Sequence, residues 1–100
     1  MKKIVMSQKQ IAKAKQRLQT LTAELASLGS MMRGSIVTNG RRHPQPYFSL
    51  NKDHRTYLVY LGQRRLPIAK RLTQKYARAT QLIEEMTLLN LALLKNDATD

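Results

Sequence analysis

The sequence contains no cysteine and no tryptophan, and it has only six acidic residues. The absence of cysteine excludes disulfides, zinc–thiolate sites and thiol chemistry. No apolar run approaches the roughly 18 residues of a membrane-spanning helix. The basic start is followed by three apolar residues, Ile4 to Met6, far short of the roughly 7–15 in a secretory signal. The sequence therefore predicts a cytoplasmic protein with no membrane segment.

The few acidic residues leave the charge of the chain one-sided. From Lys2 to Arg78 there are 17 Lys and Arg residues against Glu24 and Asp53, which gives about +15, whereas residues 79–100 carry about −3. Such a distribution costs self-repulsion unless a polyanion neutralises it. Nucleic acid is the commonest such polyanion, so the charge favours nucleic-acid binding. The alternative is a small basic protein whose charges are only solvated.

Two segments have apolar residues at alternating spacings of three and four, which is the pattern of a coiled-coil seam. Helices of this length are marginal alone in water, so the two seams are expected to pack together. Asn90 either fixes the register of the pair or lies just beyond the end of the seam. The first seam is Ile11, Ala14, Leu18, Leu21, Leu25 and Leu28, and the second is Leu72, Tyr76, Ala79, Ile83, Met86, Asn90 and Leu93.

Between the two seams, β-prone runs alternate with turn residues. Residues 35–38, 47–50 and 55–61 are rich in β-branched and aromatic side chains, and they predict short strands. The two prolines within residues 41–46 make that segment extended, because proline disfavours both helices and central strands. The region therefore predicts a small sheet.

Turn signals set the expected boundaries of this sheet. Asn39-Gly40 is the strongest two-residue turn signal in the chain, and residues 51–54 predict a second turn. Residues 62–66 predict a loop that ends at Pro67, because proline suits the first position of a helix. The second helix is therefore expected to begin at Pro67.

The predicted fold is α+β. It has a long N-terminal helix over residues 7–28, a small two- or three-stranded antiparallel sheet within residues 35–61, and a long C-terminal helix over residues 67–94. The helices are expected to pair as an antiparallel coiled-coil hairpin, with the sheet capping one end. Residues 95–100 are expected to fray, and the whole chain forms a single domain, residues 1–100. Alternatively, the same seams join two chains in a dimeric bundle.

The side chains that catalysis or metal binding requires are not clustered in the sequence. His43 and His54 are eleven residues apart, with no group of Asp, Glu or Cys to complete a metal site. Glu84 and Glu85 are adjacent on a predicted helix, so their carboxylates point in different directions. There is no Gly-rich phosphate loop. We therefore expect a non-enzymatic protein with no catalytic residue, no metal and no cofactor.

Basic residues in three local clusters are candidates for phosphate contacts. If the strands end beside the start of the second helix, the clusters converge at one end of the molecule. Lys70 and Arg71 oppose the helix dipole, which costs stability unless an anion binds nearby, and Lys70 points away from the others. The candidate nucleic-acid-binding residues are Arg41 and Arg42 after the Asn-Gly turn, Arg64 and Arg65 in the predicted loop, and Arg71, Lys75 and Arg78 on one stripe of the helix.

Aromatic residues are concentrated in the predicted strands. Tyr57 and Tyr60 are expected to lie mainly in the core, and the alternative is that their rings stack on bases. A predicted strand pair is formed by residues 47–50 (Tyr-Phe-Ser-Leu) and 55–62 (Arg-Thr-Tyr-Leu-Val-Tyr-Leu-Gly), and a helix follows directly. This pattern resembles the strand pair of arm-type DNA-binding modules of phage integrases. That resemblance implies a sheet that places strands in a major groove.

A second resemblance covers about residues 25–94. The chain has a Met-Arg-Gly-Ser element at residues 32–35, a Pro-Tyr-Phe element at residues 46–48, a basic strand and a long C-terminal helix. In these features it resembles a family of small bacterial proteins associated with transposons and phages. Members of that family often carry a cysteine cluster between these two elements. This chain has no cysteine there, so no metal knuckle is expected. The resemblance implies a mobile-element setting.

These features predict an accessory protein of a mobile element that binds nucleic acid, DNA more than RNA, through contacts to phosphates. The alternative is a coiled-coil protein-interaction module that docks on a transposase, nuclease or other nucleoprotein complex. The heptad seams also allow a homodimer or a different protein partner. No membrane partner is expected.

Overall fold

A computed structural model of the chain describes residues 5–99. The predicted α+β fold is confirmed: a helix is followed by a three-stranded antiparallel sheet and a second helix. Residues 1–4 and Asp100, which belong to the basic start and to the predicted frayed tail, lie outside the described residues. The elements are α1 (Gln8–Ser27), β1 (Ser35–Asn39), β2 (Gln45–Lys52), β3 (Arg55–Tyr60) and α2 (Gly62–Lys95).

The chain divides into two compact units, where the sequence predicts one domain. The helical unit consists of Met1–Gly29 and Ala79–Asp100, and the sheet unit consists of Ser30–Arg78. Helix α2 contributes its N-terminal half to the sheet unit and its C-terminal half to the helical unit.

In the helical unit, α1 and the C-terminal half of α2 run antiparallel. Arg17 on α1 makes a bidentate ion pair with Glu85, its Nη2 lying 2.9 Å from Oε2. Before α1, the N–H of Met6 donates to Oδ1 of Asn96 at 3.0 Å. Residue numbers rise along one helix as they fall along the other, which confirms the predicted antiparallel hairpin. Ser7 begins α1 with a capping box, in which its Oγ accepts from the N–H of Gln10.

The register of the second seam differs from the prediction. Ile83, predicted to be buried, is 51 % exposed, whereas its neighbour Leu82 is 1 % exposed. The observed seam of α2 therefore passes through Ala79, Leu82 and Leu93, and Asn90 is exposed. The physical reason is that this register buries a leucine and leaves the amide of Asn90 in water. Burying that amide without a hydrogen bond costs free energy.

The end of α2 is closed by hydrogen bonds rather than frayed. Asp97 has a φ of 52°, which is the left-handed conformation that ends many helices. The N–H of Ala98 donates to the carbonyl of Leu93 at 2.8 Å, and the N–H of Asp97 donates to that of Leu94 at 3.1 Å. This pair of bonds is a Schellman motif. The described part of the predicted frayed tail is therefore ordered.

In the sheet unit, the strand order is β1-β2-β3. Ile36 on β1 and Val59 on β3 both lie beside Phe48 on the central strand. Because paired residues share a face, the inner face of the sheet is defined by Phe48 and its partners. The buried cluster contains Phe48, Leu61 and Ala69, with Met32, Ile36, Leu50 and Leu66 packed against it.

The tight two-residue turn lies within the second predicted turn, residues 51–54, and not at Asn39-Gly40. Lys52 pairs with Arg55, and the two residues between them, Asp53 and His54, have φ of 53° and 62°. Positive φ at both positions is the type I′ geometry of a two-residue hairpin.

The connection after Asn39 is instead a five-residue loop, residues 40–44. A two-residue turn at Asn39-Gly40 would pair Ile36 with His43, because antiparallel partners keep a constant sum of residue numbers. The longer loop pairs Ile36 with Phe48, so both apolar side chains reach the inner face.

Helix α2 begins at Gly62, so residues 62–66 are helical and the predicted loop is wrong. Gly62, with a φ of 64°, turns the chain from β3 into the helix. Pro67 lies inside the helix, where its missing N–H removes one bond, to the carbonyl of Gln63. The longer helix includes Leu66, whose packing against the buried cluster offsets part of this loss.

Gly34 precedes β1 where the backbone passes the ring of Phe48. A Cβ atom at Gly34 would overlap the Phe48 ring and lie 2.9 Å from the carbonyl oxygen of Ser49. The φ of Gly34 is 136°, which residues with a side chain rarely adopt. Glycine is therefore required at this position for both steric and conformational reasons.

Candidate nucleic-acid interface

The sheet unit carries nearly all of the net charge of the chain. Its 49 residues hold eleven Lys and Arg against Asp53 alone, which gives +10, and the helical unit accounts for the remaining +2 of the net +12. An ion pair within the sheet unit can involve only Asp53 as its acid. The excess positive charge of this unit therefore attracts solvent anions or a polyanion.

Two of the predicted basic clusters lie at the same end of the sheet. The loop of residues 40–44 leads into β2 at Gln45, and the N–H of Leu61 donates to the carbonyl of Pro46 at 3.1 Å. The start of α2 is therefore beside the start of β2. Arg41 and Arg42 in the loop and Arg64 and Arg65 in the first turn of α2 are brought together at this end, which we call the basic end.

The neighbouring arginines Arg64 and Arg65 have different local roles. Arg65 Nη1 donates to the carbonyl oxygen of Tyr60 at 3.3 Å, which ties the guanidinium to the end of β3. Arg64 is exposed and points to another side of the helix, since consecutive helical residues are about 100° apart. Arg64 is thus the better placed of the two for a ligand.

Four basic residues form one stripe on the N-terminal half of α2. They lie at spacings of 7, 4 and 3, roughly 180–240° around the helix from buried Ala69. The stripe therefore points away from the sheet, and it starts at the basic end. Lys70 is outside it, as the sequence predicts. This basic stripe consists of Arg64, Arg71, Lys75 and Arg78.

Further cations, absent from the predicted site, lie at the opposite end of the sheet. Lys52 and Arg55 are cross-strand partners beside the type I′ turn. Arg33 Nη1 donates to the carbonyl oxygen of Asn51 at 2.9 Å, which holds it near the same turn. The turn predicted over residues 51–54 already contained Lys52 and was followed directly by Arg55, and this signal could have revealed the pair.

The outer face of the sheet is uncharged and bears aromatic and amide side chains. Tyr47 and Tyr60 are cross-strand partners whose rings meet edge to face, with centroids 5.5 Å apart. The Tyr60 hydroxyl donates to Oε1 of Gln45 at 3.4 Å. Tyr60 on this face is about half exposed, and so is Tyr57, which pairs with Leu50 on the inner face, so the expectation that both lie in the core is wrong. Strand β3, which carries both of these tyrosines, is at the sheet edge.

Within residues 5–99, no group of three or more His, Cys, Asp or Glu residues is placed to hold a metal ion. In the same part of the chain, neither helix contains an apolar stretch that could span a bilayer.

Comparison with known proteins gives no relative for this arrangement. No family model, no curated protein and no solved structure matches the chain. The candidate interface consists of a basic end, a basic stripe and an uncharged aromatic face, all within the sheet unit.

Proposed function

We propose that the protein is a non-enzymatic nucleic-acid-binding protein, and that its sheet unit contacts the phosphates of DNA in preference to RNA. The observation that carries the proposal is the net charge of +10 on the 49 residues of this unit, with a single acidic residue among them. Phosphate contacts by Lys and Arg dominate the affinity of such proteins.

The expected phosphate contacts come from the basic end and the basic stripe. Arg41 and Arg42 lie in an exposed loop, where side chains can follow the curvature of a nucleic-acid backbone. Arg71 and Arg78 extend the positive surface along α2 from the same end. Arginine is suited to this contact, because its planar guanidinium binds phosphate oxygens through two hydrogen bonds.

Titrations of labelled duplex DNA, single-stranded DNA and RNA at several salt concentrations test the proposal. If five to seven phosphates are contacted, log K should fall against log salt with a slope of about −4 to −6. Duplex DNA should bind most tightly. A flat salt dependence, or no binding at low salt, would contradict nucleic-acid binding.

A matched pair of double variants separates the proposed surface from net charge alone. Arg64→Ala with Arg71→Ala removes two exposed cations from the basic stripe, and Lys9→Ala with Lys13→Ala removes two exposed cations from α1. The first variant should make the salt slope shallower by about two units, because each phosphate contact contributes about one. The α1 variant should keep the slope of the parent protein. Equal effects would show that the response is to net charge and not to this surface.

The resemblance to transposon- and phage-associated proteins supports an accessory role in a mobile element, and a cytoplasmic location is part of the same proposal. Co-purification of cellular DNA with the protein at low salt, and its release at high salt, would accord with that role. The second candidate function is a protein-interaction module that docks on a transposase, nuclease or other nucleoprotein complex. The exposed leucines of the helical unit favour it, and a failure of the salt titration would make it the leading proposal.

A further inference from the structure

The C-terminal half of α2 has a second apolar surface besides the buried seam. Ile83, Leu91 and Leu94 are 45–61 % exposed. With Thr87 they follow spacings of 4, 4 and 3, which places them on one side of the helix within roughly 80°. Leu88, also exposed, borders this side. We call Ile83, Thr87, Leu91 and Leu94 the outer stripe.

The helical unit buries little by itself. Its buried side chains within the described residues are Ala14, Leu21, Ala79, Leu82 and Leu93, two of which are only alanine. Two helices cannot enclose a core, and elements with an apolar face must cover it against another layer. The outer stripe lacks such a layer in the single chain.

A groove lies next to the outer stripe within the helical unit. Its volume is about 570 Å³, and its lining includes Leu18 of α1 together with Met86, Asn90 and Leu93 of α2. On α2, Asn90 falls between the buried seam and Leu94, since residues four apart are neighbours on a helix. A helix docked on the outer stripe would also cover the rim of this groove.

We infer that the outer stripe binds the outer stripe of a second copy of this chain, with the two α2 helices antiparallel. In that arrangement Ile83 of one copy lies opposite Leu94 of the other, and Thr87 lies opposite Leu91. Each pair occurs twice across the two-fold axis, as an isologous interface requires. The outer stripe can therefore pair with itself, because each of its residues meets a residue of the same stripe on the other copy.

Charge favours a second copy as the occupant. The helical unit has a net charge of only +2, so two of them approach with little repulsion, in contrast to the sheet units at +10 each. In the same antiparallel register, Glu84 beside the stripe falls next to Lys95 of the other copy. Opposite charges therefore flank the apolar contact on both sides of the two-fold axis.

Sedimentation of the full chain, without nucleic acid, tests this inference. Over about 1–200 µM protein, a reversible monomer–dimer equilibrium is expected, because four side chains per copy make an interface at the small end of the known range. Leu91→Glu with Leu94→Glu should weaken dimerisation at least about tenfold while helix content by circular dichroism is unchanged. Ile68→Glu is the control, since Ile68 is 47 % exposed on the same helix but lies in the sheet unit.

Two outcomes would overturn the inference. One is a folded parent protein that stays monomeric at every concentration. The other is a dimer that survives the double variant but dissociates with Leu58→Glu, which would move the contact to the exposed edge strand β3.

The orientation of the helices is tested with engineered cysteines, which have no background because the chain contains none. Protein with Thr87→Cys is mixed with protein with Leu91→Cys and oxidised. The antiparallel register predicts mainly the mixed disulfide. A parallel pair would give mainly the two self-disulfides and would overturn the proposed register.

Discussion

Arg65 and Tyr60 are joined across the junction between β3 and α2, where the guanidinium Nη1 donates to the Tyr60 carbonyl oxygen at 3.3 Å. This contact closes the corner between the sheet and the helix. The side chain of Arg64, one residue earlier, is exposed. The two arginines were predicted as equivalent phosphate ligands, and the structure gives them different environments.

The difference predicts opposite phenotypes for two single variants. Arg65→Ala should lower the free energy of unfolding by about 0.5–1 kcal/mol, because one exposed hydrogen bond is lost. Arg64→Ala should leave stability unchanged and make the salt slope of DNA binding shallower by about one unit. Urea denaturation and salt titration of both variants check this. Identical results in both assays would show that the Tyr60 contact does not distinguish them.

The observed register of α2 predicts unequal effects at adjacent positions. Leu82→Ala should cost about 2–5 kcal/mol, as should Leu21→Ala on α1, because both side chains are fully buried. Ile83→Ala should cost less than about 0.5 kcal/mol at a protein concentration low enough to keep the chain monomeric. Urea denaturation followed by circular dichroism gives these values. A larger loss for Ile83→Ala than for Leu82→Ala would favour the register predicted from the sequence.

Gly34 is expected to be intolerant of any side chain. Gly34→Ala should destabilise the sheet unit by about 3 kcal/mol, since the new Cβ would displace the buried Phe48 ring and the φ of 136° is unfavourable for alanine. Gly29→Ala is the comparison, because its φ of 73° brings strain of about 1–2 kcal/mol and no such overlap with Phe48. Thermal denaturation of both variants ranks them. Equal losses would mean that the Phe48 ring moves aside without cost.

The ion pair between α1 and α2 should contribute little. Arg17 and Glu85 are 49 % and 45 % exposed, so water and salt weaken their attraction. Glu85→Gln should lower stability by less than about 1 kcal/mol, and the loss should shrink further in high salt. Denaturation at low and high ionic strength measures it. A large loss that persists in high salt would show that the pair is shielded from solvent.

Screening should stabilise the free protein. Raising the salt concentration from about 0.05 M to 0.5 M shortens the range of repulsion among the cations of the sheet unit to about 4 Å. The melting temperature should therefore rise without any ligand, because self-repulsion at +10 is relieved. A melting temperature that is independent of salt would indicate that the cations are too far apart to interact.

Periodicity and composition were sufficient to predict the element order, the antiparallel hairpin and α1 to within a residue at each end. They could not choose between Leu82 and Ile83, because both are apolar and the choice depends on where Asn90 falls. The turn after Asn39 was misplaced because the pairing of Ile36 with Phe48 outweighs a local turn preference. For the basic residues, sequence spacing located the stripe of Arg71, Lys75 and Arg78. The bond from Arg65 to a backbone carbonyl depends on the tertiary corner and has no sequence signal.

The confinement of every aromatic side chain to residues 30–78 makes the two units spectroscopically distinct. All four tyrosines lie in the sheet unit, and the chain has no tryptophan, so near-ultraviolet absorption and intrinsic fluorescence report on that unit alone. The helical unit has no aromatic chromophore and contributes mainly to the far-ultraviolet signal of its helices. A single unlabelled sample therefore yields a melting curve of the sheet unit from its tyrosines, which can be compared with a far-ultraviolet curve to which the helices of both units contribute.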